Sequence, residues 1–400
     1  MAKTLVINSG SSTVKFKLYE MPAEKCLARG ILECIGLPNS RVKIKYGQQQ
    51  EFKAEKPFPD HAAAIHELLH LLKKLAIITD YHEITGVGHR VVAGGEEFNK
   101  SVIINEDVMQ KIDKLSAIAP LHNPNNLIGI REFKRILPNA VAVAVFDTAF
   151  HQTLPEENYI YSVPFEWYEK YGARRYGAHG TSHHYVAQKA AEYFDKPLAQ
   201  LKLITCHLGA GASMCAIKDG KSFDTSMGFT PLTGLTMASR AGDVDVSLID
   251  YVMKQEKITD PDEMTAILNK KSGLLGISGV SPDMRDVLQA EKQDNQRAHL
   301  AVKIFIRNIV RYLGQYTFEM GGLDGIVFTA GIGENSDEIR QRVCERLHFA
   351  GIKLDEQANL QNKEGIISMP DSPVKVLRIA TNEELMIARE VEKLKAKSEH

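Results

Sequence analysis

Thr4-Leu-Val-Ile-Asn8-Ser-Gly10-Ser-Ser-Thr-Val-Lys15-Phe-Lys-Leu-Tyr19 and Leu203-Ile-Thr-Cys-His207-Leu-Gly209-Ala-Gly211-Ala-Ser-Met-Cys-Ala-Ile217 follow one local plan. Each reads as an apolar strand, a tight turn of small residues and a second strand. Glycine in such a turn exposes backbone N–H groups, which suits an anion. Their recurrence predicts two α/β halves of similar topology, each opening with a β-hairpin, with a cleft between the halves. A third strand, Gly325-Ile-Val-Phe-Thr-Ala330, runs into Gly331-Ile332-Gly333-Glu334-Asn335 and then a helical pattern over Asp337–Leu347. A glycine turn meeting a helix start is a natural phosphate or nucleotide edge site. Ser336 stands where a dinucleotide fingerprint needs glycine, and no GxxxxGK[ST] occurs, so neither a Rossmann nor a P-loop enzyme is supported.

Composition narrows the partners. With 44% hydrophobic and 25% charged residues the chain is globular, and 400 residues normally divide into two domains. Lys plus Arg (49) nearly cancels Asp plus Glu (50), which leaves no basic field for nucleic acid. Any anion site must be built locally. The five cysteines are odd in number and form no CxxC pair, as expected of a reducing compartment. The run Leu5–Ile7 is too short for a signal-peptide core, and no stretch approaches the roughly 18 to 20 apolar residues of a membrane span. A cytoplasmic protein without membrane or nucleic-acid partners is expected.

Polar chemistry concentrates in a few places. Arg90 follows a strand and precedes Gly94-Gly95, where it could clamp a carboxylate or phosphate bidentately or form a structural salt bridge. The apolar strand Val141–Phe146 delivers Asp147 at its carboxyl end, where open α/β sheets hold ligands; a cap for the next element is the other reading. The stretch from Arg174 to His184 is dense in donors and lacks apolar periodicity, which favours hydrogen bonding to an anionic group over a metal site. Arg240 sits beside a glycine and the acids Asp243 and Asp245.

These residues together carry a family resemblance over nearly the whole chain. Asn8-Ser-Gly-Ser-Ser-Thr-Val-Lys15-Phe, Gly88-His-Arg90, Gly94-Gly95-Glu96, Pro120-Leu121-His122-Asn-Pro124, Phe146-Asp147-Thr-Ala-Phe-His151, Arg175-Tyr-Gly-Ala-His179-Gly-Thr-Ser-His183, Phe328-Thr-Ala-Gly331-Ile-Gly-Glu-Asn335 and Thr381-Asn-Glu383-Glu384 resemble, in order, the motifs of the acetate and propionate kinase family. That family lies within the actin-like superfamily. The resemblance implies two duplicated actin-like (ribonuclease H-like) α/β domains, 1–150 plus 385–400 and 151–384, and a homodimer. It implies reversible, direct in-line transfer of the γ-phosphoryl of ATP to acetate, giving acetyl phosphate and ADP.

Carried over by motif, Arg90 and Arg240 hold the carboxylate and the transferring phosphoryl, His179 stabilises the transition state and Asp147 is catalytic. A carboxylate acceptor is already ionised at neutral pH, so Asp147 is better suited to orienting Arg90 or a metal-bound water than to removing a proton. Asn8 and Glu383, with Glu384 as the competing neighbour, would bind Mg²⁺, with Mn²⁺ an alternative. Lys15, the turn His207-Leu208-Gly209-Ala210-Gly211, Asp283-Met284-Arg285 and Gly331-Ile332-Gly333-Glu334-Asn335 would bind ATP or ADP. Lys15 could equally be a solvated strand charge. Val92, Leu121 and Pro231 would line a methyl-sized acceptor pocket, widened by Ala178 where the family often has phenylalanine.

The chain departs from the family pattern at Thr13, Ala93, Ala241 and Ala330, where serine, histidine, serine and glycine are usual. The departure with most consequence is Ala210, where the turn usually reads Gly-Asn-Gly. A missing amide there predicts lower activity or altered nucleotide preference. Propionate kinase is the alternative within the family. From another class, His66-Glu67-Leu-Leu-His70 fits the HExxH pattern of zinc metalloproteases, although Lys73 and Ala76 replace the glycine and third histidine of its extended form.

Overall fold

The computed structural model describes residues 2–117 and 123–398. The chain forms two compact units, one of Met1–Ala149 with Asn382–His400 and one of Phe150–Thr381. Among the described residues no helix is long and apolar enough to cross a membrane.

The first unit is built on an eight-stranded sheet in the order β5-β4-β3-β2-β1-β6-β8-β7. Its strands are β1 (Ala2–Ser9), β2 (Thr13–Met21), β3 (Lys25–Glu33), β4 (Arg41–Tyr46), β5 (Gln50–Glu55), β6 (Ile84–Val91), β7 (Val102–Ile103) and β8 (Val141–Phe146). The first five strands form an antiparallel meander, whereas β6 runs parallel to β1 and β8 parallel to β6. Both faces of the central strands are covered, so Leu5, Val6 and Ile7 are all buried in succession. The helix Glu383–Ser398 packs on β1, β6 and β8, and the helix Asn123–Ile136 packs on β1 and β6.

The second unit repeats this core. Its sheet has the order β11-β10-β9-β12-β14-β13, from β9 (Leu203–Leu208), β10 (Ala212–Lys218), β11 (Lys221–Thr225), β12 (Gly325–Thr329), β13 (Gly365–Ile366) and β14 (Lys375–Arg378). Here too a three-strand meander leads to two parallel strands, β12 beside β9 and β14 beside β12. Even the short edge strands correspond, β7 antiparallel on β8 and β13 antiparallel on β14. The duplication expected from the two hairpins is therefore present in six strands of each sheet, with β4 and β5 extending the first meander alone.

Helices cover this second sheet for legible reasons. Gln296–Met320 is capped by Asn295, whose side chain accepts from the Ala298 N–H at 3.0 Å, and it ends at Gly321 in the left-handed region. Its buried residues, including Ala298, Val302, Phe305, Ile309 and Leu313, recur at three- and four-residue steps and form one apolar face.

Two details differ from the sequence reading. The hairpin turns bond partly to themselves, Gly10 N–H to the Thr13 carbonyl at 2.8 Å and Gly209 N–H to the Gly211 carbonyl at 3.1 Å, so fewer amides face outward than a glycine count implies. The last helix begins at Glu383 rather than Leu385 because the Asn382 side chain accepts from the Leu385 N–H at 3.3 Å.

Gly88 permits the close approach of that helix to β6. A Cβ there would fall 2.4 Å from Ile387 Cγ2 and 2.9 Å from Val391 Cγ2. Gly88→Val is expected to destabilise the first unit by about 1–3 kcal/mol, read as a lower urea midpoint with an unchanged slope.

Candidate functional site

In the first unit three neighbouring parallel strands end together. Asn8 lies near the end of β1, Arg90 near the end of β6, and Asp147 directly after β8. This is the edge at which parallel sheets present ligands. Asp147 is almost fully buried and holds the Arg90 guanidinium by a two-pronged fork, with Nε donating to Oδ1 at 3.1 Å and Nη2 donating to Oδ2. The remaining terminal nitrogen, Nη1, donates to Asn8 Oδ1 at 3.3 Å. Burial pulls the guanidinium down, but the charges of Asp147 and Glu383 outweigh it and hold Arg90 above its ordinary value. Arg90 is therefore a permanently charged donor fixed by an acid.

The neighbouring glutamates are not equivalent. Glu384 forms an ion pair with Lys17 at 2.9 Å. Glu383 lies within the electrostatic reach of Arg90 and Asp147, and burial, partly offset by Arg90, pushes its carboxyl up to about 7. Such a carboxylate gains from an added cation. Lys15 pairs in register with Asn8 across β1 and β2 and is exposed.

Val92 follows β6, and its N–H donates to Asn126 Oδ1 at 3.3 Å. Asn123 binds both backbone groups of Ala93, and Asn126 also donates to the Ser9 carbonyl at 2.8 Å. Buried Asn123 and Asn126 thus tie the ends of β1 and β6 to one helix. Sequence reasoning assigned them no role, although two asparagines on the buried face of an otherwise apolar helix were the available signal. Leu121, with Pro120 and His122, lies outside the described residues.

In the second unit Gly211, His179 and Arg240 converge. A Cβ on Gly211 would stand 3.5 Å from His179 Nε2 and 3.6 Å from Arg240 Nη1. His179 opens the helix Gly180–Phe194 at φ +58°, its ring stacks on His207 at 4.1 Å, and its Nδ1 lies 2.8 Å from Ser213 Oγ. Arg240 Nη1 donates to the carbonyl of half-buried Pro231 at 3.4 Å. No carboxylate is bonded to Arg240 among the described residues, and burial alone lowers its pKa. An arginine without an acid partner is suited to a transient anion.

Beside this cluster is a pocket of about 410 Å³ lined by Gly209, Ala210, Asp283, Met284, Arg285, Gly331, Ile332 and Asn335, the residues singled out for nucleotide, together with Pro282, Leu288 and Ser336. Its size is that of a small-molecule site. Asp283 caps the helix Met284–Glu291, and its bonds from Arg285 hold its carboxyl down near 2. Five residues singled out for nucleotide lie behind or beside the pocket lining. Leu208 is buried, His207 is bonded to Ser182 at 2.8 Å, and Gly211 faces His179 and Arg240. Gly333 is packed beneath the loop, and Glu334 turns inward to accept from the Ala330 and Thr381 N–H groups at 2.8 and 3.0 Å.

Most donors in the Arg174–His184 stretch are committed internally, contrary to the expectation that they bind an anion together. Arg175 donates to the carbonyls of Thr225 and Asn158 and lies 3.6 Å from Asp224. Arg174 covers the Tyr159 ring at 3.7 Å. Buried His183 bridges Thr205 Oγ1 and Ser213 Oγ, and burial lowers its pKa so that it stays neutral. These polar groups are core residues satisfied by hydroxyls and carbonyls, which a lack of apolar periodicity cannot reveal.

The HExxH pattern falls on the helix His61–Lys74, where His66 Nε2 accepts from Arg135 at 2.6 Å and Glu67 pairs with Lys56 at 2.6 Å. The described residues contain no group of three or more His, Cys, Asp or Glu able to hold a metal ion.

The first unit thus carries an acid-fixed arginine and the second a small-molecule pocket beside a histidine and an arginine, and the chain is a phosphotransferase of the kinase class. The Acetokinase family profile matches residues 3–389, and the chain belongs to that family. It is 57% identical over 396 residues to the acetate kinase of Limosilactobacillus fermentum, with 99% of each chain covered. Identity to the acetate kinase of Bacillus subtilis is 51% over 395 residues, covering 98% of this chain and all of the other. The crystal structure of Porphyromonas gingivalis acetate kinase superposes with a TM-score of 0.95 at 44% identity, over 99% of this chain and 100% of that one. A propionate kinase structure from Francisella tularensis gives a TM-score of 0.92 at 41% identity, over 98% and 100%.

The Arg90–Asp147 fork makes a stability prediction. Arg90→Ala strands a buried carboxylate and is expected to cost about 3–5 kcal/mol, whereas adding Asp147→Ala should recover part of that loss. Urea unfolding of the two single variants and the double variant checks this through the coupling energy.

Proposed function

We propose that this protein is an acetate kinase, catalysing reversible transfer of the γ-phosphoryl of ATP to acetate with release of ADP. The observation that carries the reading is Arg90, fixed along one edge by Asp147 at the ends of β6 and β8. Acetate is ionised at neutral pH, so its oxygen attacks phosphorus without a general base. A P–O bond forms to the acetate oxygen, and the bond to the β–γ bridging oxygen breaks with its electron pair leaving on ADP. Little covalent assistance is needed, and positioned cations around the transferring group supply most of the stabilisation. Arg90, Arg240 and His179 are those donors. Asp147 orients Arg90, and its engagement in the fork supports that role over proton removal.

Asn8 Oδ1 and the Glu383 carboxylate are hard oxygen donors suited to Mg²⁺ or Mn²⁺, few in number as expected for an ion that keeps several waters. Glu384 is already neutralised by Lys17, which favours Glu383. When bound, the ion would neutralise charge on the nucleotide phosphates. The Gly209–Gly211 turn, the 283–285 segment and the 331–335 loop hold the nucleotide, with Lys15 adding charge. By family motif Val92 and Pro231 are acceptor-pocket positions, which points to a short-chain acid. One extra methylene is discriminated by only about 1–3 kcal/mol, so propionate is a slower second acceptor.

The homodimer is inferred from the family resemblance, and Phe318, Val246 and Tyr171, each largely exposed in the second unit, are apolar side chains available to an interface. Five unpaired cysteines fit a reducing, cytoplasmic setting.

Hydroxamate trapping with MgATP and acetate should show acetyl phosphate, with turnover falling at least about a thousandfold in Arg90→Ala, as expected when a transition-state donor is lost. ATP binding without turnover on any short acid would refute the assignment. Glu383→Gln should raise the Mg²⁺ concentration needed for half-maximal activity about tenfold or more, while Glu384→Gln shifts it far less. Ala210→Asn, which restores an amide at the pocket wall, should raise kcat/KM for ATP, and unchanged kinetics would show that the alanine is neutral.

A further inference from the structure

Arg340 is among the largest fully buried side chains of the protein, with no exposed surface. All five of its N–H donors are matched to neutral oxygens. Nε donates to Asn359 Oδ1 at 2.7 Å, Nη1 to the carbonyls of Gly333 and Glu334 at 2.9 Å each, and Nη2 to the Asn359 carbonyl and Asn362 Oδ1 at 3.0 Å each. No carboxylate is bonded to it among the described residues, and burial lowers its pKa to about 10. Burying a guanidinium without a bonded counter-ion is costly, and an apolar side chain of similar volume would fill the space at lower cost. The charge must therefore be held by what it organises.

What it organises is the wall of the nucleotide pocket. The helix Ala330–Asn335 has six residues, too few to persist alone, and its final carbonyls lack partners within the helix. Arg340 binds two of those carbonyls, and Arg378 Nε adds a second donor to the Glu334 carbonyl at 3.2 Å. At the other end the Glu334 side chain accepts from the Ala330 N–H at 2.8 Å, holding a turn in which Ala330 sits at φ +63°. The loop thus has two sets of residues. Gly333 and Glu334 are anchored below, and Gly331, Ile332, Asn335 and Ser336 line the pocket.

We propose that Arg340 is a positioning residue for the nucleotide, fixing the 330–336 loop in its pocket-lining shape through the carbonyls of Gly333 and Glu334. This rests on reading the pocket as the nucleotide site. Neither acceptor-side residue, Arg90 nor Asp147, belongs to this network.

The test compares Arg340→Met and Arg340→Lys with the unaltered protein, using calorimetric ADP binding and the KM values for ATP and acetate well below the unfolding temperature. For Arg340→Met, weaker ADP binding and an ATP KM raised about tenfold or more, equivalent to about 1.4 kcal/mol, are expected, with the acetate KM changed less than about twofold. Arg340→Lys keeps the charge but loses the fork and should fall between. An unchanged ATP KM, or equal rises for ATP and acetate, would overturn the proposal. If both variants fail to fold, Asn362→Ala removes a single acceptor and should raise the ATP KM about two- to tenfold, the equivalent of one ordinary hydrogen bond. No rise there would equally overturn it. Absence of ADP binding to the unaltered protein would instead refute the nucleotide reading itself.

Discussion

The fork between Arg90 and Asp147 is the constraint on which the ligand edge of the first unit, and the acceptor site proposed there, depends. Asp147 is buried, so its charge is tolerable only with a partner, and Arg90 provides that partner from the next parallel strand. The same fork fixes the guanidinium plane and commits one of its edges. Buried Gly94, whose N–H donates to Thr148 Oγ1, and the asparagines beneath β6 hold the surrounding backbone so that the fork keeps its geometry.

One topology is used for two tasks. In each unit a meander followed by two parallel strands brings a hairpin turn and two strand ends to one edge of the sheet. In the first unit that edge carries Asn8, Arg90 and Asp147, an arrangement of charged and amide groups suited to a small anion. The second unit places glycine turns at the corresponding positions, Gly209–Gly211 after β9 and the 330–336 loop after β12. Backbone held by buried polar groups, rather than charged side chains at the surface, shapes the pocket proposed for the nucleotide. A nucleotide offers a large flat base and sugar, which a shaped wall can recognise, whereas acetate offers little beyond its charge.

The parts of this that were legible in the sequence are those with a period or a fixed motif. The apolar runs of β1, β8, β9 and β12 show themselves, and the glycine turns that follow them mark the ligand edge. The Acetokinase motifs then attach names to Arg90, Asp147 and His179. What stayed hidden were the polar residues in the core. Arg175 and His183 read as ligand donors because nothing in a sequence reveals a facing carbonyl or hydroxyl, and Arg340 lies in no motif that marks it. Gly88 was part of a motif, yet its role is to admit Ile387 and Val391 from a helix nearly three hundred positions later in the chain. Long-range packing leaves no local signature.

The central claim, that an acetate oxygen attacks phosphorus and becomes the bridging oxygen of the product, is tested most directly by ³¹P NMR of acetyl phosphate formed from [¹⁸O₂]acetate and MgATP. The account predicts an isotope-shifted resonance showing ¹⁸O in the bond between acyl carbon and phosphorus, retained throughout turnover. Acetyl phosphate with ¹⁶O at that bridge, or ATP consumed to inorganic phosphate alone, would contradict it.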